Sequence, residues 1–130
     1  MFKILFNRFI KDKYLKEKTK EDIILLKKFN RSIRSNPNNP DTYFNRGNFK
    51  FQLGDYQGAM KDYNIAIKLN PEYLEAYHSR AIVKERLDYY NGAIVDYNVI
   101  LKIDPSNLLA NKNKKVIQRK FYYELKNMNT

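Results

Sequence analysis

Carboxylates are the first residues in this chain that could do chemistry. Asp62 and Asp96 stand 34 residues apart and Glu72 and Glu75 three apart, so either pair could in principle supply an acid and a base. No nucleophile, metal-ligand set or oxyanion donor accompanies them. The chain has no cysteine and a single histidine, His78, which excludes thiolate chemistry, disulfides and any multi-histidine metal centre. The four glycines, at 47, 54, 58 and 92, lack the spacing of a phosphate-cradling loop. No enzyme activity, metal or cofactor is therefore expected, and the chemistry left is recognition.

Two recognition devices suggest themselves. Arg46 and Arg80, with Lys114 a further 34 residues on, could form a basic ladder for an acidic partner or a phosphate. Tyrosines and phenylalanines interleaved with lysines could stack on nucleic-acid bases. Each has a plainer reading. In a helical hairpin turning near Gly54, Arg46 and Asp62 lie eight residues either side of the turn and so at one level, as do Arg80 and Asp96 about Asp88; an ion pair inside each hairpin is expected. At their observed spacings most of the aromatics read as core, and an isolated His78 reads as polar helix surface.

The elements that must position these residues follow from length and charge. At 130 residues the chain has the length of one domain, and 43% hydrophobic residues with 15% aromatics suffice for a packed core. The net charge of +11 is unevenly spread: residues 1–39 hold 11 basic and 4 acidic side chains, residues 40–107 hold 8 and 9, and residues 108–130 hold 6 and 1. A nucleic-acid binder places its cations along the folded face that meets phosphate, whereas here the middle is neutral. Sixteen asparagines alongside many lysines also point to a general compositional bias. No run approaches the ~20 apolar residues of a membrane-spanning helix. Lys3 and Arg8 interrupt the opening MFKILFNRFI, which has no cleavage site of small residues after it. A soluble, cytoplasmic protein is expected.

The chain repeats itself. Pro37, Pro71 and Pro105 are spaced by 34, and residues 37–70 laid over 71–104 give 12 identities without a gap, among them Tyr43/Tyr77, Arg46/Arg80, Lys50/Lys84, Gly58/Gly92, Ala59/Ala93, Asp62/Asp96 and Tyr63/Tyr97. Each unit holds two helical patterns split by a breaker. The expected helices are 41–53, 56–69, 75–87 and 90–103, with Asp41 and Thr42 capping the first, Gly54 ending it in a left-handed residue, and Asp88 doing the same in the second unit. Ala59, Tyr63, Ala66 and Ile67, and their counterparts Ala93, Tyr97, Ile100 and Leu101, make one buried stripe per unit.

The segments YFNRGNFKFQLGDYQGAMKDYNIAIKLNP and YHSRAIVKERLDYYNGAIVDYNVILKIDP resemble tetratricopeptide repeats of a bacterial kind. The departures are Asp88 for Gly54, Ala81 for Gly47, Ile100 for Ala66, and Lys50 and Lys84 where the family usually has an apolar or aromatic residue. The resemblance implies an all-α fold, a right-handed αα-superhelix of about three helix hairpins plus a capping helix. Residues 1–36 would be a degenerate basic repeat, because a shift of 34 sets Leu25, Phe29 and Ile33 under Ala59, Tyr63 and Ile67; its helices are expected at 2–15 and 21–35. Full repeats follow at 37–70 and 71–104, then a cap over 105–130 whose helix, 107–126, turns Ile117, Phe121 and Leu125 inward.

What the resemblance implies for function is a non-catalytic scaffold that takes a peptide or helix of another protein in a concave groove lined by the first helix of each hairpin. The groove positions are Asp41, Phe44, Asn45, Asn48 and Gln52, then Glu75, His78, Ser79, Ile82 and Arg86, and from the cap Leu109, Lys112 and Asn113. Chaperone-binding members grip a C-terminal carboxylate with Lys, Asn, Asn, Lys and Arg. Those places hold Phe44, Asn48, Ser79, Leu109 and Asn113 here, so a carboxylate clamp is not expected. The rival reading is a membrane-surface or nucleic-acid adaptor acting through the basic flanks. It draws on the amphipathic stretch from Phe2 to Tyr14, where Phe2, Leu5, Phe6, Phe9 and Ile10 share one face. Docking of that stretch on residues 21–35 is the structural alternative. A homo-oligomer is compatible with either reading.

Overall fold

The computed structural model describes residues 1–129, apart from the side chains at positions 12, 14 and 15. Six helices account for the regular structure: α1 (Phe2–Ser35), α2 (Pro40–Gln52), α3 (Tyr56–Leu69), α4 (Leu74–Arg86), α5 (Tyr90–Ile103) and α6 (Leu108–Met128). Two compact units result, Met1–Pro37 and the chain from Asn38 onward.

In the first unit the structure corrects the sequence reading. Two helices, 2–15 and 21–35, were expected; α1 is a single helix of 34 residues. Residues 16–20 read Lys-Glu-Lys-Thr-Lys, which contains neither glycine nor proline and mostly strong helix formers. Lys20 occupies the position 34 residues before Gly54, so the breaker that opens a hairpin turn is missing. The helix ends only where Pro37 disfavours helical geometry at Asn36, which has φ −142°.

The second unit is built of two hairpins and a cap. Helix α2 pairs with α3 and α4 with α5, α3 packs on α4, and α6 covers α5. The bounds of these five helices fall within two residues of those expected. Capping differs in detail: Asn39, not Asp41 or Thr42, caps α2, accepting from the Asp41 N–H at 3.0 Å, while Pro40 takes the first helical position, where its missing N–H costs nothing. Asp55 caps α3 through the Gly58 N–H at 2.9 Å and Asn107 caps α6 through the Ala110 N–H at 3.0 Å. The turns after α2 and α4 each hold a left-handed residue, Gly54 at φ +81° and Asp88 at φ +60°.

The core is an alternation of small and aromatic side chains. Ala59, Ala66, Ala76, Ala81, Ala93 and Ala110 are fully buried, which lets helix axes approach, and Tyr63 and Tyr97 fill the space between. A Cβ on Gly47 would lie 2.8 Å from the Tyr63 ring, so this crossing admits only glycine without a shift. In the cap, Ile117 is buried and Phe121 packs against the same cluster as expected, whereas Leu125 is exposed.

Candidate functional site

The charged groups that carry the repeat signature are structural. The Asp62 carboxylate receives Arg46 Nε at 2.8 Å and Nη2 at 2.6 Å, and Lys50 Nζ lies 2.9 Å from it. Asp96 receives Arg80 Nε at 3.0 Å and Nη2 at 2.6 Å, with Lys84 Nζ at 2.8 Å. Both carboxylates are buried, and the fork geometry of the guanidinium satisfies two oxygens at once. The arginines also lie over the rings of Tyr43 and Tyr77, 5.7 and 5.4 Å from the centroids. Sequence reasoning anticipated the arginine pairing and missed the lysines, although their identity in both repeats was the available signal. Arg80 further donates to Asn64 Oδ1 at 2.8 Å, tying the second hairpin to the first. These groups hold the hairpins at fixed level and position the facing sides of α2 and α4, while α6 is seated by Ala110 and Ile117 on the apolar cluster of α4 and α5.

Two cavities lie along those sides and meet at Ser79. One, of about 370 Å³, is lined by Phe44 from α2, by Leu74, Glu75, His78 and Ser79 from α4, and by Ile100, Asn107 and Leu109. The other, of about 330 Å³, is lined by Asn48, Phe51 and Gln52 from α2, by Tyr63, and by Ser79 and Ile82 from α4. Of the positions named from the sequence, Phe44, Asn48, Gln52, Glu75, His78, Ser79, Ile82 and Leu109 are wall residues. Asn45, Arg86 and Lys112 are exposed and line neither cavity. Asp41 accepts from the Tyr73 hydroxyl at 2.8 Å and so joins α2 to the turn before α4. Leu74, Ile100, Asn107, Phe51 and Tyr63 are wall residues that the sequence reading left out. Phe51 follows Phe44 by seven residues on one helix face, and Ile100 was flagged as a departure from Ala66.

Hydrogen bonds fix several of these side chains before anything binds. The Tyr63 hydroxyl donates to Asn48 Oδ1 at 2.7 Å, and burial pushes its pKa up to about 12. The Tyr97 hydroxyl donates to Glu85 at 3.1 Å and is likewise pushed up by burial. Asn113 Nδ2 lies 3.1 Å from His78 Nε2 and 3.4 Å from the Tyr97 hydroxyl. Burial lowers the His78 pKa, so the ring is neutral near pH 7. Phe44 is braced by the rings of Tyr73 at 5.0 Å and Tyr63 at 5.9 Å. Among the described residues the two cavity walls contain one charged side chain, Glu75, and no cation.

Residues 40–73, which span α2, α3 and the turn into α4, match the tetratricopeptide repeat family. The described chain also superposes on the first such domain of Spaghetti (RPAP3) bound to the HSP90 peptide SRMEEVD, at 26% identity and a TM-score of 0.72 over 81% of this chain and 83% of that one. Over residues 40–73 the chain is a tetratricopeptide repeat. The first tetratricopeptide domain of human RPAP3 is similar to it at 25% identity, TM-score 0.73, over 84% of this chain and 86% of that one. The Arabidopsis OM64 domain is similar at 25% identity and 0.70 over 80% and 86%. No protein of curated function matches the sequence. The walls of the two cavities combine apolar side chains such as Phe44 and Leu109 with the amide of Asn48 and the hydroxyl of Ser79.

Proposed function

We propose that this protein is a non-catalytic interaction module that holds a peptide or helix of another protein along α2, α4 and the start of α6. The observation that carries the reading is the pair of adjoining cavities, whose walls offer apolar anchors at Phe44, Leu74, Ile82 and Leu109 beside neutral polar groups at Asn48, Ser79 and His78. A similar domain, that of Spaghetti (RPAP3), is seen with an HSP90 peptide bound, which supports a peptide as ligand. That peptide is acidic, and here the walls carry a single charge, the negative one of Glu75. The ligand that fits is an apolar segment, neutral or basic, gripped along its length and not by a terminal carboxylate.

A photo-crosslinking residue placed at Ser79, with one at the exposed Val95 of α5 as control, should capture the partner from the groove side alone. The segment identified is then titrated against two sets of variants. Phe44→Ala with Ile82→Ala should weaken binding by roughly 1–3 kcal/mol with helicity intact. Charge reversal at Lys112 and Lys115 should change little, and moderate salt should leave the affinity standing. Dependence on the lysines alone, with steep loss in salt, would refute the groove as the binding surface.

A further inference from the structure

Helix α1 presents an apolar face with nothing in its own unit to cover it. Phe2, Leu5, Phe6, Phe9 and Ile10 recur at helical spacing, and their side chains are 83%, 59%, 53%, 63% and 48% exposed. Because α1 runs unbroken to Ser35, residues 2–15 cannot fold back on 21–35, and that cover for the apolar face is removed. Eleven residues turn an α-helix almost a whole number of times, so Lys13, Lys16 and Lys20 fall in line with Phe2, Leu5 and Phe9. The structure shows the junction directly: Phe9, Lys13, Lys16, Glu17 and Lys20 line one shallow depression. One face of α1 is therefore aromatic and aliphatic for its first three turns and then becomes a row of lysines.

We propose that this face is a docking site for an anionic membrane surface. Laid in the plane of a bilayer, the aromatic end enters the boundary between headgroups and acyl chains, and the lysine row meets the negative headgroups beside it. Residues 1–20 contain seven basic and two acidic side chains, which matches that sign of surface. Among the described residues no helix is long and apolar enough to cross a membrane, and the contact is one with the surface. A nucleic acid would complement the lysines and leave Phe2, Phe6 and Phe9 in water. A parallel pair of copies would set lysine row against lysine row, and an antiparallel overlap of residues 2–10 joins only about 13 Å of helix.

The full chain is mixed with phosphatidylcholine vesicles with and without phosphatidylserine and sedimented. Binding is expected with the anionic vesicles and is expected to fall on the order of tenfold or more in the double variant Phe6→Ser, Phe9→Ser, and also on raising salt. The chain has no tryptophan, so Phe6→Trp supplies a single reporter. It should bind as the parent does, shift its emission to the blue and be quenched by brominated acyl chains. Circular dichroism and the melting of the repeat unit check that each variant is folded. The proposal is overturned by no binding to phosphatidylserine vesicles at low salt, or by binding that ignores the serine substitutions, which would make it adsorption of charge alone. A dimer in light scattering that those substitutions dissociate would make a second copy the occupant, with the same consequence.

Discussion

Asp62 and Asp96 each bring a carboxylate into the interior at 1% and 0% exposure, and each is answered by two cations, one more than neutrality requires. The two cations are not equivalent. Arg46 binds both oxygens and stacks on Tyr43, whereas Lys50 reaches one oxygen. Asp62→Asn leaves both cations without a counter-charge and should lower stability in urea titration by about 3 kcal/mol. Lys50→Met keeps the stem and the arginine pair and should cost under about 1 kcal/mol. Similar losses for the two would mean that the lysine, not the fork, neutralises Asp62. Charges eight residues either side of a turn were legible from sequence because hairpin geometry fixes their level. The walls of the groove were legible less completely: Tyr63 and Ile100 were assigned wholly to the core and Phe51 was not singled out, yet side chains of that size can pack inward and still present an edge to a cavity.

At the scale of the element, helix ends decided what was readable. Asp88 was expected in a left-handed conformation because it stands where Gly54 does, and its φ of +60° agrees. The two positions differ in what a substitution meets. No heavy atom lies within 4 Å of a Cβ built on Gly54, so Gly54→Val should lose stability through the backbone alone, by about 2 kcal/mol, since a β-branched residue is least tolerant of positive φ. Asp88→Gly relieves that strain but removes the acceptor of the Tyr90 hydroxyl at 2.7 Å, with Glu124 left at 3.2 Å, and the two effects should cancel to within about 0.5 kcal/mol. Equal melting shifts would contradict this. Where no breaker exists the 34-residue period misled: Leu25, Phe29 and Ile33 keep the repeat's apolar rhythm, but with Lys20 in the place of a glycine the helix has no reason to stop, and one long element replaces a hairpin. Asn39 was likewise overlooked as a cap because Pro40 sets the start of α2 one residue earlier than the apolar pattern does.

From Asn38 onward the molecule is a short stack in which each helix leans mainly on its neighbours in sequence, so stability is expected to behave as a sum of hairpins and the interfaces between them. With two hairpins the terminal interface is a large share of that sum. Helix α6 supplies it through Ala110 and Ile117, which complete the cluster of Tyr77, Tyr90, Tyr97 and Ile100, and Ile117 is 1% exposed. Ile117→Ala should therefore destabilise the unit by about 2–4 kcal/mol, the cost of a deleted buried side chain with incomplete collapse around it. The direction of spread is the sharper test. Tyr63, Ala59 and Val83 form a separate cluster around Phe44 and Phe51, and Arg80 with Asn64 and Tyr73 with Asp41 are polar ties between the hairpins. In hydrogen exchange the variant should lose protection first in α6 and α5 and least in α2 and α3, because the damage travels one interface at a time. Uniform loss across all five helices would show that the stack opens as one cooperative unit, and the groove between α2 and α4 would then be no more rigid than its weakest end.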